Sequence, residues 1–292
     1  MNFLNKIYMK KIKNVEFKNY IKTYNDSVVK TTSGVSNKLY GNTIGKAISK
    51  VQSNIISNGT CLEKLIFVSI KNTLDNVYEI KTLSDYNKLM NEIDSTHIND
   101  DTFDISNRVY LIHKNIFTDI KHGEKKIQPD LLSIIVKDGK ITFYVFEEKM
   151  GDNFDTKKSN AEKEHLTVFV EQLQLKVRTD INIVYKILPF FSDESKNYLS
   201  KYGFKKAFSE DEILTRNELS ELFEIDFNDL VEIYDNVQDI NETMFIDDIC
   251  EDRNIQRKIA KNHNFQNYIF DLMKDILDDT QKSKLLEALN SL

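Results

Sequence analysis

Pro129-Asp130-Leu131-Leu132-Ser133-Ile134-Ile135-Val136-Lys137-Asp138-Gly139-Lys140-Ile141-Thr142-Phe143-Tyr144-Val145-Phe146-Glu147-Glu148-Lys149 is the stretch on which the fold turns. It holds two β-rich runs, Leu131 to Val136 and Ile141 to Phe146, separated by Lys137-Asp138-Gly139-Lys140. Asp-Gly between such runs suits a two-residue turn, because both central positions need positive φ and Gly takes it without steric cost. The spacing predicts a hairpin in which Lys137 pairs with Lys140, Leu131 with Phe146, and Asp130 falls opposite Glu147. Both alternating sets are apolar, Leu132, Ile134 and Val136 on one face and Leu131 and Ile135 on the other. Strands apolar on both faces belong inside a sheet covered by helices on each side.

Outward from the hairpin, Lys158 to Val177 carries a helical pattern through Ala161, His165, Val168, Phe169 and Leu173. Ile181 to Leu188 reads as a strand ended by Pro189, and Glu194 to Tyr202 as a helix. Upstream, 9–30 and 44–58 read as helical. Thr60-Cys61 opens a further apolar run through Leu62, Leu65, Ile66, Val68 and Ile70, and Val109 to Ile112 reads as a short strand. The region 210–292 reads mostly as amphipathic helices, among them Ser209-Glu210-Asp211-Glu212 with capping-box spacing and Asn267 to Leu277. The expected architecture is α/β, a central mixed sheet flanked by helices with a helical carboxyl-terminal portion. A core over 61–209 lies between a basic helical region, 1–60, and an acidic helical one, 210–292.

The 292 residues are 40% hydrophobic and 29% charged, with a formal net charge of -6. That is too apolar for wholesale disorder and too polar for a membrane protein. Met1 to Lys13 holds no signal-peptide apolar block, so an intracellular, cytoplasmic protein is expected. Cys61 and Cys250 are too few for a thiolate metal site or a disulfide framework. Taken as an average, the mild acidity argues against a polyanionic partner, but it is regional. Residues 1–60 hold ten lysines against Glu16 and Asp26, whereas 210–252 holds sixteen acids against Arg216 alone. Net charge is therefore compatible with a nucleic-acid partner. Five scattered histidines give no His-Glu-x-x-His zinc helix, and no Gly-Lys-Ser/Thr phosphate loop or Ser-centred nucleophile elbow is present.

The hairpin register carries the chemistry. Directly opposed residues have Cβ atoms about 4.5–5.5 Å apart, so Asp130 and Glu147 converge. Lys149, two residues on, projects from the same face as Glu147, and Glu148 from the other. Two carboxylates facing each other at the end of an apolar strand pair are in conflict, and a divalent cation resolves it. Hard oxygen donors of this kind suit Mg²⁺, which is usually held by one or two carboxylates with waters and substrate phosphate. A neighbouring ammonium can stabilise phosphate charge or orient a metal-associated water. This set fits phosphodiester hydrolysis.

Pro129-Asp130, sixteen intervening residues and Glu147-Glu148-Lys149 resemble the signature of the PD-(D/E)xK nuclease superfamily. The order of helix, hairpin, helix and strand is similar as well. Within that superfamily the chain resembles the type II restriction endonucleases over about residues 60–190. Phe146 to Ser159 is similar to the stretch after the catalytic strand, and Ile213 to Phe223 has a more diffuse likeness. The resemblance implies Mg²⁺-dependent cleavage of double-stranded DNA at a short sequence, leaving 5′-phosphate and 3′-hydroxyl ends. It implies Asp130 and Glu147 as metal ligands, Lys149 as the residue that positions or activates water, and Glu63 as an extra acid from the preceding helix. A homodimer and a companion DNA methyltransferase are implied too. Lys157, Lys158 and Lys163 are candidates for backbone contacts, Gln172 or Gln174 for base reading, and Asp152 and Asp155 for turn and cap roles. Two other readings stay open: a repair, recombination or RNA-processing nuclease of the same superfamily, and a non-catalytic binding protein in which Asp130, Glu147 and Lys149 form a structural ion cluster.

Overall fold

A computed structural model describes residues 10–12, 61–96, 108–137, 140–151, 154–177 and 181–232, with a few isolated positions beyond. The chain divides into two compact units, Met1–Phe17 with Asn58–Val231 and Lys18–Ser57 with Glu232–Leu292. Nearly all described residues belong to the first. The helices expected at 44–58 and 267–277, most of 9–30, and Cys250 and Asp152 lie outside the described residues.

The first unit is built on a mixed five-stranded sheet. Its elements are a helix over 61–73 (α1), β1 (Val77–Ile80), α2 (Leu83–Thr96), β2 (Arg108–Ile112), β3 (Leu131–Lys137), β4 (Lys140–Lys149), α3 (Thr156–Gln174) and β5 (Asn182–Pro189). The strands lie in the order β1-β2-β3-β4-β5. The outer pairs β1/β2 and β4/β5 are parallel, and the inner pairs β2/β3 and β3/β4 antiparallel. Each parallel pair is joined through a helix, α2 in one case and α3 in the other, as a parallel connection requires. The α/β architecture expected from the hairpin is the one observed.

β3 and β4 occupy the middle because both their faces are apolar. Leu132, Ile134 and Val136 join Phe143 and Val145 in a core with Tyr86, Leu89 and Ile93 of α2 and Leu166, Phe169 and Leu173 of α3. Phe117, from the turn Lys114–Phe117, meets Tyr86 at 5.1 Å and Phe169 at 6.4 Å edge-on, geometries in which ring quadrupoles attract. On the opposite face Phe146 meets Phe223 at 6.3 Å. Phe223 ends the helix Arg216–Phe223 (α4), which Thr215 and Glu218 cap reciprocally. The hairpin register is as expected from Leu131↔Phe146 to Lys137↔Lys140, Asp138 and Gly139 themselves being outside the described residues.

Several boundaries differ from expectation for local reasons. Lys10–Lys11, expected within a helix, instead pairs in parallel with Ile225–Asp226, and the Ile12 amide donates to Asp229 at 3.1 Å. Lys196–Tyr198 makes one α-helical turn and then widens into a π-helical turn over Leu199–Gly203. In α3 the buried face runs through Ser159, Leu166, Phe169 and Leu173, while His165 is exposed. The true stripe is one step round the helix from the sequence reading, which leaned on Ala161 and His165 and passed over Leu166.

Candidate active site

The carboxylates are positioned by main chain. Asp130 enters β3 with its amide donating to the Phe146 carbonyl at 3.1 Å, and its Oδ2 accepts from the Glu148 amide at 2.7 Å. The end of β4 is held on its other edge by β5, with Glu147 beside Ile187 and Lys149 beside Pro189. The Phe190 amide closes the end by donating to the Lys149 carbonyl at 2.9 Å. Glu147, Glu148 and Lys149 thus sit on backbone paired with β5 on one edge and tied to Asp130 on the other.

Their side chains divide between the faces of the sheet. Lys149 Nζ donates to Glu147 at 2.6 Å and to Glu162 of α3 at 3.0 Å. Glu63 of α1 accepts from Lys114 Nζ at 2.7 Å. Glu148 is only 7% exposed, and among the described residues neither of its carboxylate oxygens has a hydrogen-bond partner. Burial without a partner is costly for a carboxylate, so the site stores electrostatic conflict. Burial pushes the Asp130 carboxyl well above its usual range, and Glu147, Glu148 and Glu63 push it further. Burial likewise raises Glu148, with Glu63 and Glu147 adding to it. Glu147 is raised by burial and only partly rescued by Lys149. For Lys149 burial pulls the other way, but Glu147 and Glu162 outweigh it and hold the ammonium above the ordinary lysine range. Lys149 therefore stays charged at neutral pH.

Asp130, Glu147 and Lys149 are thus brought into one electrostatic cluster, with Glu63 near enough to act on Asp130 and Glu148. Two members were not singled out from sequence. Glu162 completes the buried face of α3 at the spacing Ser159, Glu162, Leu166, Phe169, Leu173, a carboxylate in an apolar stripe at the end facing Lys149. That stripe was the available signal. Lys114 comes from a short turn and is joined to Glu63 across 51 positions, for which sequence spacing offers nothing.

No family model matches the chain. Over 224 residues it is 31% identical to the type II restriction enzyme HhaII of Haemophilus parahaemolyticus, an alignment covering 75% of this chain and 88% of that enzyme. The chain belongs to the type II restriction enzymes. Among solved structures, one titled "AvrA delL154 with IP6, CoA" aligns over 70% of this chain and 71% of its own with 8% identity and a TM-score of 0.25, too low to support any likeness of fold.

In this restriction enzyme the remaining candidates take distinct places. Lys163 is bound by Glu212 and by the Tyr185 hydroxyl, with its charge over the Phe208 ring at 5.4 Å. Lys158 lies over the Phe154 ring at 5.0 Å, and Lys157 is exposed. Asp155 caps α3, accepting from the Lys158 amide at 2.8 Å. Gln172 is engaged with the peptide of Lys121, and Gln174 is exposed. Among the described residues no three His, Cys, Asp or Glu side chains converge in ligating geometry. The donors still suit Mg²⁺, which needs only one or two carboxylates: Asp130 and Glu147 supply hard oxygens within one electrostatic cluster. No described helix is long and apolar enough to cross a membrane.

Proposed function

We propose that this restriction enzyme is a Mg²⁺-dependent, site-specific endonuclease of the PD-(D/E)xK type that cuts double-stranded DNA and leaves 5′-phosphates. The observation that carries this reading is the meeting of Asp130, Glu147 and Lys149 at the end of one hairpin, in a chain 31% identical to a type II restriction enzyme. Asp130 and Glu147 would hold the metal, with Glu63 as the additional acid. When bound, Mg²⁺ would supply a water of lowered pKa and charge stabilisation at the phosphate. Lys149, kept protonated by Glu147 and Glu162, presents a fixed cation to the attacking water and the scissile phosphate. Glu162 restrains the lysine so that its charge is not free to wander. Lys157 and Lys158 are proposed backbone contacts at the start of α3, where the helix terminus also favours phosphate. A homodimer and a companion methyltransferase complete the reading.

The test is digestion of plasmid and genomic DNA with Mg²⁺, followed by sequencing of the ends. Discrete fragments with 5′-phosphates are expected. Asp130→Asn and Lys149→Ala should each lower cleavage by roughly 10²–10⁴-fold while remaining folded and able to bind DNA. Undiminished cleavage by both variants would place the chemistry elsewhere; a folded wild type that cuts no nucleic acid would favour a binding protein with an ion cluster at these residues.

A further inference from the structure

The connection between β2 and β3 carries a surface that the catalytic reading leaves unused. Lys121–His122 and Lys125–Lys126 form a two-stranded ribbon, with Lys121 opposite Lys126 and His122 opposite Lys125. Like charges directly opposed across strands are destabilising. Lys121, Lys125 and Lys126 are exposed, and among the described residues none of their ammonium groups is in an ion pair. The neighbouring acids are largely committed elsewhere: Asp119 to Lys176 and Glu164 to His122, leaving Glu124 in the turn.

This ribbon is firmly anchored despite its exposure. Ile120 and Ile127 are buried at its base and joined by an amide-to-carbonyl bond of 3.2 Å. Gln172 of α3 clamps the Lys121 peptide, accepting from its amide at 3.2 Å and donating to its carbonyl at 2.5 Å. His122 Nε2 lies 3.2 Å from Glu164, also on α3. Gly123, at φ +62°, makes the turn in a conformation that a side chain would strain. The fold therefore commits two α3 side chains to holding, in fixed geometry and against their mutual repulsion, three lysines that have no ion pair among the described residues. Four residues lead from Lys126 to Asp130, at most roughly 13 Å of extended chain. A DNA strand advances about 3.4 Å per nucleotide, so a duplex cut at Asp130 has further phosphates within that range.

We propose that the ribbon Lys121–Lys126 binds the phosphate backbone of duplex DNA flanking the cut, through Lys121, Lys125 and Lys126. This rests on the reading of the chain as a DNA-cleaving enzyme. Such contacts set position and affinity rather than sequence preference. Each phosphate neutralised contributes about -0.9 to the slope of log affinity against log salt on B-DNA.

The test compares the full-length wild type with the triple variant K121A/K125A/K126A in binding a non-cognate duplex across a KCl series without divalent cation. The triple variant is expected to bind at least about tenfold more weakly, with a salt slope shallower by roughly 2–3. K126E separates binding from folding: it replaces a like-charge pair with an opposite-charge pair, so it should weaken DNA binding while the melting temperature holds or rises. A wild type that cuts and binds DNA, matched by the triple variant in affinity and slope, overturns the ribbon alone. A wild type that neither binds nor cuts duplex DNA overturns the endonuclease reading and the ribbon with it.

Discussion

Lys149 is set between two acids that do different work. Glu147 shares its strand and the metal-binding role proposed for it, whereas Glu162 reaches it from a helix and has no other described partner. Removing the Glu162 charge should let the Lys149 pKa fall, because one of the anions that outweigh its burial is lost. The ammonium would then deprotonate at lower pH. Glu162→Gln is expected to cost about 10–100-fold in cleavage and to move the alkaline limb of the pH-rate profile downward, with DNA binding retained. A profile coincident with the wild type would show that Glu162 only packs. The convergence of Asp130 and Glu147 was legible in the sequence because a hairpin register is arithmetic once the turn is known, although the paired ladder stops at Leu131↔Phe146 and Asp130 is tied by its amide to the Phe146 carbonyl. Glu162 was not, because the helix was phased on Ala161 and His165 rather than Leu166, which rotates a glutamate out of the buried stripe.

Among the elements, β1 and α2 were passed over, although α2 advertises itself. Thr82 accepts from the Asp85 amide at 3.1 Å and donates to its carboxylate at 2.7 Å, and Tyr86, Leu89, Met90 and Ile93 follow at helical spacing. β1 is less legible, being four residues with one fully buried. Its attachment is partly electrostatic: Glu79 meets Lys71 and His113 at 2.6 Å each and Lys81 at 3.3 Å. Burial alone would raise the Glu79 carboxyl, but these three partners outweigh it and bring it down to about 2. A carboxyl depressed on folding adds stability above its unfolded pKa and loses it as pH falls through the folded value. Glu79→Gln should therefore cost about 1 kcal/mol at neutral pH, and the difference should close between about pH 4.5 and about pH 2. Urea denaturation of both proteins across that range checks it; a pH-independent difference would mean that the contribution is steric.

For the whole molecule, the proposed Mg²⁺ site would make stability a function of pH and cation together, through the acids at the end of β3 and β4. Asp130, Glu147 and Glu148 are all raised, first by burial and then by neighbouring carboxylates, Glu147 and Glu63 acting on both Asp130 and Glu148, and Glu162 and Glu63 acting on Glu147. Acids raised on folding weaken the folded state as pH climbs from their unfolded values toward their folded ones. A cation that binds their ionised forms reverses this, and so displaces protons. Saturating Mg²⁺ should raise the melting temperature more at about pH 8 than at about pH 5.5, and the shift should shrink in Asp130→Asn. An equal shift at both pH values would disconnect the cation from these carboxylates.

The arrangement of the sheet also bears on how the molecule assembles. β3 and β4 are joined by two residues, so their pairing needs almost no loop closure and forms on the timescale of a hairpin, about 1–10 μs. β5 must wait for the nineteen residues of α3, and α1 is separated from the hairpin by β1, α2, β2, a short turn and the lysine ribbon. Folding is thus expected to bring Asp130 and Glu147 face to face early, with Lys149 alongside, before Glu162 or Glu63 can arrive. The two outer acids are late additions, closing over a charged pair that already exists.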